Sequence, residues 1–363
     1  MKKRNFLYPV LYPFVLLLVF SCSSNQVAPE EEESREDLIE YKYVVDKDGN
    51  GDFTSVQEAI DAAPSYYDDR TYIYVKNGEY KEVVTIPDEK TNLTLVGESV
   101  ENVILTYDNA AQKINPETGE EYGTSGSAST YIHGDGFVAV NITFENSAGY
   151  YNGTQGKTNY GQTLAIYVDS DQSIFDNCRF ISGQDTFYAG RVRTFIKDSY
   201  IEGTTDFIFG PATAVFENTN MHSYGGTSIT AASTESYVEF GFVFRNCTIT
   251  SESGVKTDLG RPWRPYAAVA YLGCDIGSCI KPEGWNNWGD PDNEATARYA
   301  EYNNTGPGAD TDNRINWVDI LTEGEAEKYE TLNVLKTTYE ENPNTDDWNP
   351  YNLIEQMQEL PEM

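Results

Sequence analysis

The sequence predicts an all-β solenoid, a parallel β-helix with short capping helices. The first observation is a seven-residue pattern that occurs six times. It reads Val138-Ala-Val-Asn141-Ile-Thr-Phe144, Ile174-Phe-Asp-Asn177-Cys-Arg-Phe180, Phe195-Ile-Lys-Asp198-Ser-Tyr-Ile201, Val215-Phe-Glu-Asn218-Thr-Asn-Met221, Val243-Phe-Arg-Asn246-Cys-Thr-Ile249 and Ala270-Tyr-Leu-Gly273-Cys-Asp-Ile276. The second is its fixed chemistry: Asn, Asp or Gly at the fourth position, a small or aliphatic residue at the fifth, an apolar residue at the seventh. The third is the spacing of the fourth positions, 36, 21, 20, 28 and 27 residues, which is a unit near 20 with loops inserted. Units of that length stack as coils, each pairing its short strands with the next coil about 4.8 Å away. A β-sandwich gives no reason for one position to stay Asn or Asp, whereas stacked bends let such side chains form a ladder.

The elements follow in chain order. Met1-Lys2-Lys3-Arg4, the apolar run Phe6–Phe20 and Ser21-Cys22 read as an export signal. The run is short for a membrane span. Val19-Phe20-Ser21-Cys22 resembles a bacterial lipobox, so the expected signal is residues 1–21 with lipid attached at Cys22. Residues 22–40, with Pro29 followed by four glutamates, cannot bury enough apolar surface to fold and are expected to be an acidic flexible tether. The β-helix domain is expected over 41–363. Near its start, Thr54-Ser-Val-Gln57 before Ala59-Ile60 and Ala62-Ala63 predicts a short helix with a Thr-x-x-Gln capping box, placed to plug the first coil. Glu323–Tyr339 and Leu353–Leu360 are helix-like and suited to cover the other end or a flank.

Charge narrows the partners. Loss of residues 1–21 takes the formal net charge from −33 to about −36, which excludes nucleic acid as a partner. A polyanion held by bulk charge is disfavoured too; an uncharged or esterified polymer fits. Besides Cys22 there are Cys178, Cys247, Cys274 and Cys279. Export permits disulfides, and Cys274 and Cys279 are near enough to pair across a short loop or to stay reduced. Cys178 and Cys247 read as core residues. No CxxC pair or histidine cluster suggests a metal.

The repeat also aligns the polar residues. Asp185 lies eight positions after Asn177, and Asp206 eight after Asp198. Coils in register would place the two carboxylates side by side. Such neighbours cannot easily both be charged, so one holds a proton, which is a working acid and carboxylate pair. Gln184 puts an amide beside the first. Arg261, expected on a loop leaving the Asn246 coil, can hold the other ionised. No Gly-x-Ser-x-Gly elbow is present.

Four motifs occur in order: Gly161-Gln162-Thr-Leu-Ala-Ile-Tyr-Val168, Gly183-Gln-Asp-Thr-Phe-Tyr188, Gly203-Thr-Thr-Asp-Phe-Ile-Phe-Gly210 and Leu259-Gly-Arg-Pro-Trp263. Together they resemble the pectin methylesterase (pectinesterase) family, and the resemblance spans about residues 43 to 320. It implies a right-handed, pectin-lyase-like β-helix and hydrolysis of galacturonate methyl esters in pectin through an aspartyl acyl-enzyme. By that resemblance Asp206 is the nucleophile and Asp185 the general acid and base. Gln184 and Gln162 are oxyanion donors, and Arg261 orients Asp206. Tyr188, Phe209, Trp263 and Ser129 are expected to contact substrate; Ser129 stands near a position where the family often has threonine. Phe187 replaces the usual leucine and Thr163 the usual alanine. The resemblance implies no metal or organic cofactor. The expected partner is methyl-esterified homogalacturonan, met by a monomer that touches a membrane only through its lipid anchor, as an outer-membrane lipoprotein or else a secreted protein. The rivals are another pectin-active β-helix enzyme, a lyase or polygalacturonase, and a non-catalytic polysaccharide-binding β-helix.

Overall fold

The computed structural model describes residues 40–149, 160–341 and 343–361. The expected signal, Cys22 and all of the expected tether but Glu40 lie outside the described residues.

One coil shows the construction. The chain runs up Ser173–Asp176, bends at Asn177, runs along Arg179–Ile181, bends again through Asp185, follows Phe187–Ala189, and enters the next coil at Arg193–Lys197. Each strand pairs in parallel with its counterpart one coil on, as in Ile174 with Phe195 and Phe180 with Ile201. Repetition builds three parallel sheets. The eleven-stranded sheet starts at Tyr43–Val45 and ends at Asp319–Ile320. The eight-stranded sheet runs from Gly78–Lys81 to Asp275–Ile276, and the seven-stranded sheet from Val84–Ile86 to Asp258–Pro262. This is a right-handed parallel β-helix, the hand that parallel crossovers adopt.

The Asn/Asp/Gly position has a backbone cause. Asn141, Asn177, Asp198, Asn218, Asn246 and Gly273 all have positive φ, between 48° and 66°. Each coil turns there through the left-handed region, which costs most residues but suits Asn, Asp and Gly. A partial ladder adds to it: the Asn177 amide donates to Asn141 at 2.7 Å and the Asn218 amide to Asp198 at 3.1 Å. The residue after the bend points inward, and Ile142, Cys178, Ser199, Thr219, Cys247 and Cys274 are all buried. The seventh position stacks as well. Phe144, Phe180, Ile201, Met221, Ile249 and Ile276 are paired coil to coil, with the first two rings 5.5 Å apart.

This inward row corrects the disulfide expectation. All four cysteines of the folded part are free thiols. Cys274 belongs to the fifth-position row, its thiol donating to the carbonyls of Phe244 and Leu272. Its side chain is buried in the core.

The ends differ in detail from expectation. The N-terminal helix is Val56–Ala62, and its cap is Ser55, not Thr54. Ser55 Oγ accepts from Glu58 N–H, while the Glu82 carboxylate accepts from the N–H groups of Val56 and Gln57 at 2.9 and 3.2 Å. Gln57 closes no box. Its amide instead accepts from Thr85 N–H at 2.7 Å and donates to Thr85 C=O at 3.0 Å, blocking the open edge of the seven-stranded sheet. At the C-terminus, helices Glu323–Ala326, Thr331–Leu335 and Pro350–Met357 cover a flank rather than the end. Val334, Leu335, Ile354 and Met357 pack on Val138, Ile174, Phe195 and Val215, the outer face of the eleven-stranded sheet.

Candidate active site

The site lies on the outer side of the seven-stranded sheet, where the turns feeding its strands converge. Phe187 pairs with Ile208 and Tyr188 with Phe209. Asp185 and Asp206 each stand two residues before these pairs, so they occupy one turn of consecutive coils. Both have positive φ, 65° and 53°. Each turn is pinned to the coil ahead: Asp185 N–H donates to Thr205 C=O at 3.1 Å, and Asp206 N–H to Ser228 C=O at 2.7 Å. Behind them the turns nest at glycine. A Cβ on Gly203 would lie 2.3 Å from Phe207 Cβ and 2.6 Å from Gly183 O, so neither turn could sit where it does with a larger residue.

Arg261 reaches this pair from a strand, Asp258–Pro262, and not from the expected loop. Its register neighbour is Ala231, which in turn pairs with Phe209. From there Nε donates to Asp206 Oδ1 at 2.9 Å and Nη2 to Oδ2 at 2.6 Å. This two-point fork is the strong form of an ion pair. Asp185 and Asp206 are both nearly buried, 7% and 5% exposed, so their environments set their charge. Burial, and then the negative charge of Asp206, push Asp185 up to about 8, against smaller opposing effects of Gln184 and Arg261. Burial also raises Asp206, but the Arg261 hydrogen bonds and charge oppose it. The fork thus favours the charged form of Asp206, while burial beside that charge favours the neutral form of Asp185.

A cleft of about 330 Å³ opens over the pair. Gln162 and Gln184 line it beside the two aspartates, as do Tyr188, Phe209 and Trp263. The aromatic side chains continue as a row along the coils. Tyr131, Tyr167, Tyr188, Phe209 and Trp263 follow one another at ring separations of 5.9, 4.5, 5.0 and 5.9 Å. The first four are successive register partners and so share one outward face of the sheet. Phe209 is 5% exposed and forms wall more than platform.

Ser129 does not belong to the site. It is fully buried, its hydroxyl donates to Tyr107 C=O at 3.3 Å, and it does not line the cleft. The hydroxyls at the rim are those of Thr124 and Ser125, at the start of a short 3₁₀ turn, Ser125–Ser127. Phe187 and Thr163 lie beneath the site; Phe187 fills the core and Thr163 Oγ1 is bonded to Ser182 Oγ at 2.9 Å. Tyr167 and Trp288 also line the cleft. Tyr167 could have been found from the aligned coils; Trp288 lies outside the repeat and leaves no such signal. Among the described residues no His, Cys, Asp and Glu group is arranged to hold a metal.

Residues 42–338 match the family model described as Pectinesterase. Pectinesterase 31 of Arabidopsis thaliana is 41% identical over 288 residues, 78% of this chain and 88% of that protein. Several other plant relatives are named as pectinesterase/pectinesterase inhibitor, and the chain spans about half their length, 51% for one from Brassica napus that is 36% identical. Among solved structures, pectin methylesterase from carrot superposes with a TM-score of 0.75 at 31% identity, covering 82% of this chain and 93% of that one. With the paired aspartates, the arginine fork and these likenesses together, the chain belongs to the pectinesterase family and is an esterase.

Proposed function

We propose that the protein removes methyl groups from pectin by way of a covalent ester to Asp206. The ionised Asp206 attacks the carbonyl carbon of a galacturonate methyl ester. The charge that develops on the carbonyl oxygen is met by the amides of Gln162 and Gln184. The tetrahedral adduct collapses as Asp185 gives its proton to the departing methoxy oxygen, releasing methanol and leaving an anhydride between Asp206 and the sugar carboxyl. Asp185, now a carboxylate, takes a proton from water, which attacks this anhydride. The sugar leaves as a free acid group and Asp206 returns as a carboxylate.

The observation that carries this reading is the opposite setting of two adjacent carboxylates, Asp206 forked by Arg261 and Asp185 pushed up to about 8. A solved pectin methylesterase in complex with a hexasaccharide, 28% identical with a TM-score of 0.71, supports a polymeric substrate. So does a second depression that continues past Tyr188 and Trp263 toward Arg191 and Arg264. The decisive assay is methanol release from methylated pectin, absent in Asp206→Ala. New unsaturated or reducing ends without methanol would point to a lyase or polygalacturonase instead.

Export and lipid attachment at Cys22 belong to the same proposal, supported by the lipobox-like Val19–Cys22 sequence and the acidic stretch after it, and a monomeric state is proposed with them. Mass spectrometry of the mature N-terminus and sedimentation of the protein test these points.

A further inference from the structure

Arg261 has a second partner. Its guanidinium lies 3.7 Å from the ring centroid of Trp288, while its nitrogens are forked on Asp206. Trp288 lines the cleft and is 38% exposed. Its backbone is in the left-handed region at φ 64°, which a bulky residue adopts only where its surroundings impose it.

Those surroundings are built. Trp288 N–H is held by the side chain of Asn286 at 2.7 Å, and Gly289 N–H by that of Asn287 at 2.8 Å. Asn286 N–H donates to the carbonyl of Gly260, the residue before Arg261, at 3.1 Å. Below, Trp285 is buried against Tyr299 at 4.3 Å and donates to Glu301 at 2.9 Å. Glu301 is itself paired with Arg314 at 2.8 Å, both buried. The loop is therefore anchored in the last coils and laid onto the strand that carries Arg261.

We infer that Trp288 is a positioning residue, a flat cover stacked on Arg261 that keeps its fork on Asp206 sheltered from water. The inference rests on the reading of Asp206 as nucleophile. An arginine stacked on an indole keeps its in-plane donors free for the carboxylate while one face is closed to solvent. Without the ring, the guanidinium gains water and salt anions as competing partners, and Asp206 is held less firmly for attack.

The test is steady-state methanol release by the full-length protein, Trp288→Ala and Trp288→Phe, each checked for an unchanged melting temperature. For Trp288→Ala we expect kcat to fall about tenfold, and to fall further as NaCl is raised, while wild type at saturating pectin stays nearly flat. Trp288→Phe, which keeps a flat face, should recover most of kcat. A kcat within twofold of wild type in Trp288→Ala, or a defect confined to KM, overturns the inference and leaves Trp288 a sugar contact only. Absence of methanol release by wild type would instead overturn the proposed function beneath it.

Discussion

Arg261 holds Asp206 by both carboxylate oxygens, at 2.9 and 2.6 Å, and makes no such contact with Asp185 one coil away. Two acids in equivalent turns thus receive unequal treatment from a single cation. Lysine can supply the charge but not the planar fork. Arg261→Lys is expected to lose about 2–3 kcal/mol of transition-state stabilisation, roughly 30- to 150-fold in kcat/KM. Arg261→Ala should lose more, because Asp206 is then buried without a partner. Methanol-release kinetics check both; near-normal Arg261→Ala would remove the fork from the mechanism.

The bends make a separate prediction. Asn177 is exposed, with φ 49°, and among the described residues its side chain bonds only to its ladder neighbour Asn141. Asn177→Ala forces an ordinary residue into the left-handed region and should cost about 1–2 kcal/mol. Asn177→Gly loses the same ladder bond without the backbone penalty and should stay within about 1 kcal/mol of wild type. Denaturant unfolding distinguishes them. Equal losses in both variants would assign the position to the ladder rather than to the backbone.

The thiols can be counted. Cys178, Cys247, Cys274 and Cys279 are buried and unpaired, and burial pushes the Cys178 thiol well up. Without reductant, the native protein should leave these four unreacted with a thiol reagent. Denaturation should release all four beyond Cys22. A count lower by two would restore a disulfide.

These residues also show what the sequence could and could not disclose. The repeat was legible because the left-handed bend admits so few residue types that Asn141, Asn177, Asp198, Asn218 and Asn246 stand out. The stacking of Asp185 on Asp206 followed from the same register. Cys274 shares the inward fifth position with Cys178 and Cys247, yet its pairing stayed open in the sequence because Cys279 lies outside the repeat. Ser129 misled because hydroxyl residues cluster from Thr124 to Thr130, and only the 3₁₀ turn decides which face the cleft. The C-terminal segments read as helix-like covers, but the sequence left open whether they would meet the far end or a flank. Trp288 was hidden for a different reason. Its role depends on a backbone conformation that a tryptophan rarely adopts, and on contacts made across distant coils.

The proposed roles of the two aspartates make both activity and stability depend on pH. In that mechanism the working form carries a proton on Asp185 and none on Asp206. With Asp185 pushed up to about 8, kcat/KM should fall on the alkaline side near that value, as the proton donor is lost. On the acid side it should fall as Asp206 takes a proton. Stability responds to the same group in one direction. A carboxyl whose folded pKa lies above its unfolded value, about 3.9, favours the fold fully below that unfolded value. The contribution is lost progressively as pH rises toward 8, and above 8 the loss is constant. Asp185→Asn removes the titrating group while keeping the shape. It should abolish methanol release yet raise the melting temperature at pH 8, by roughly 2 °C or more, with a smaller change at pH 4. Melting curves of both proteins at the two pH values check this. A variant no more stable than wild type at pH 8 would mean that Asp185 is not held protonated by its burial beside Asp206.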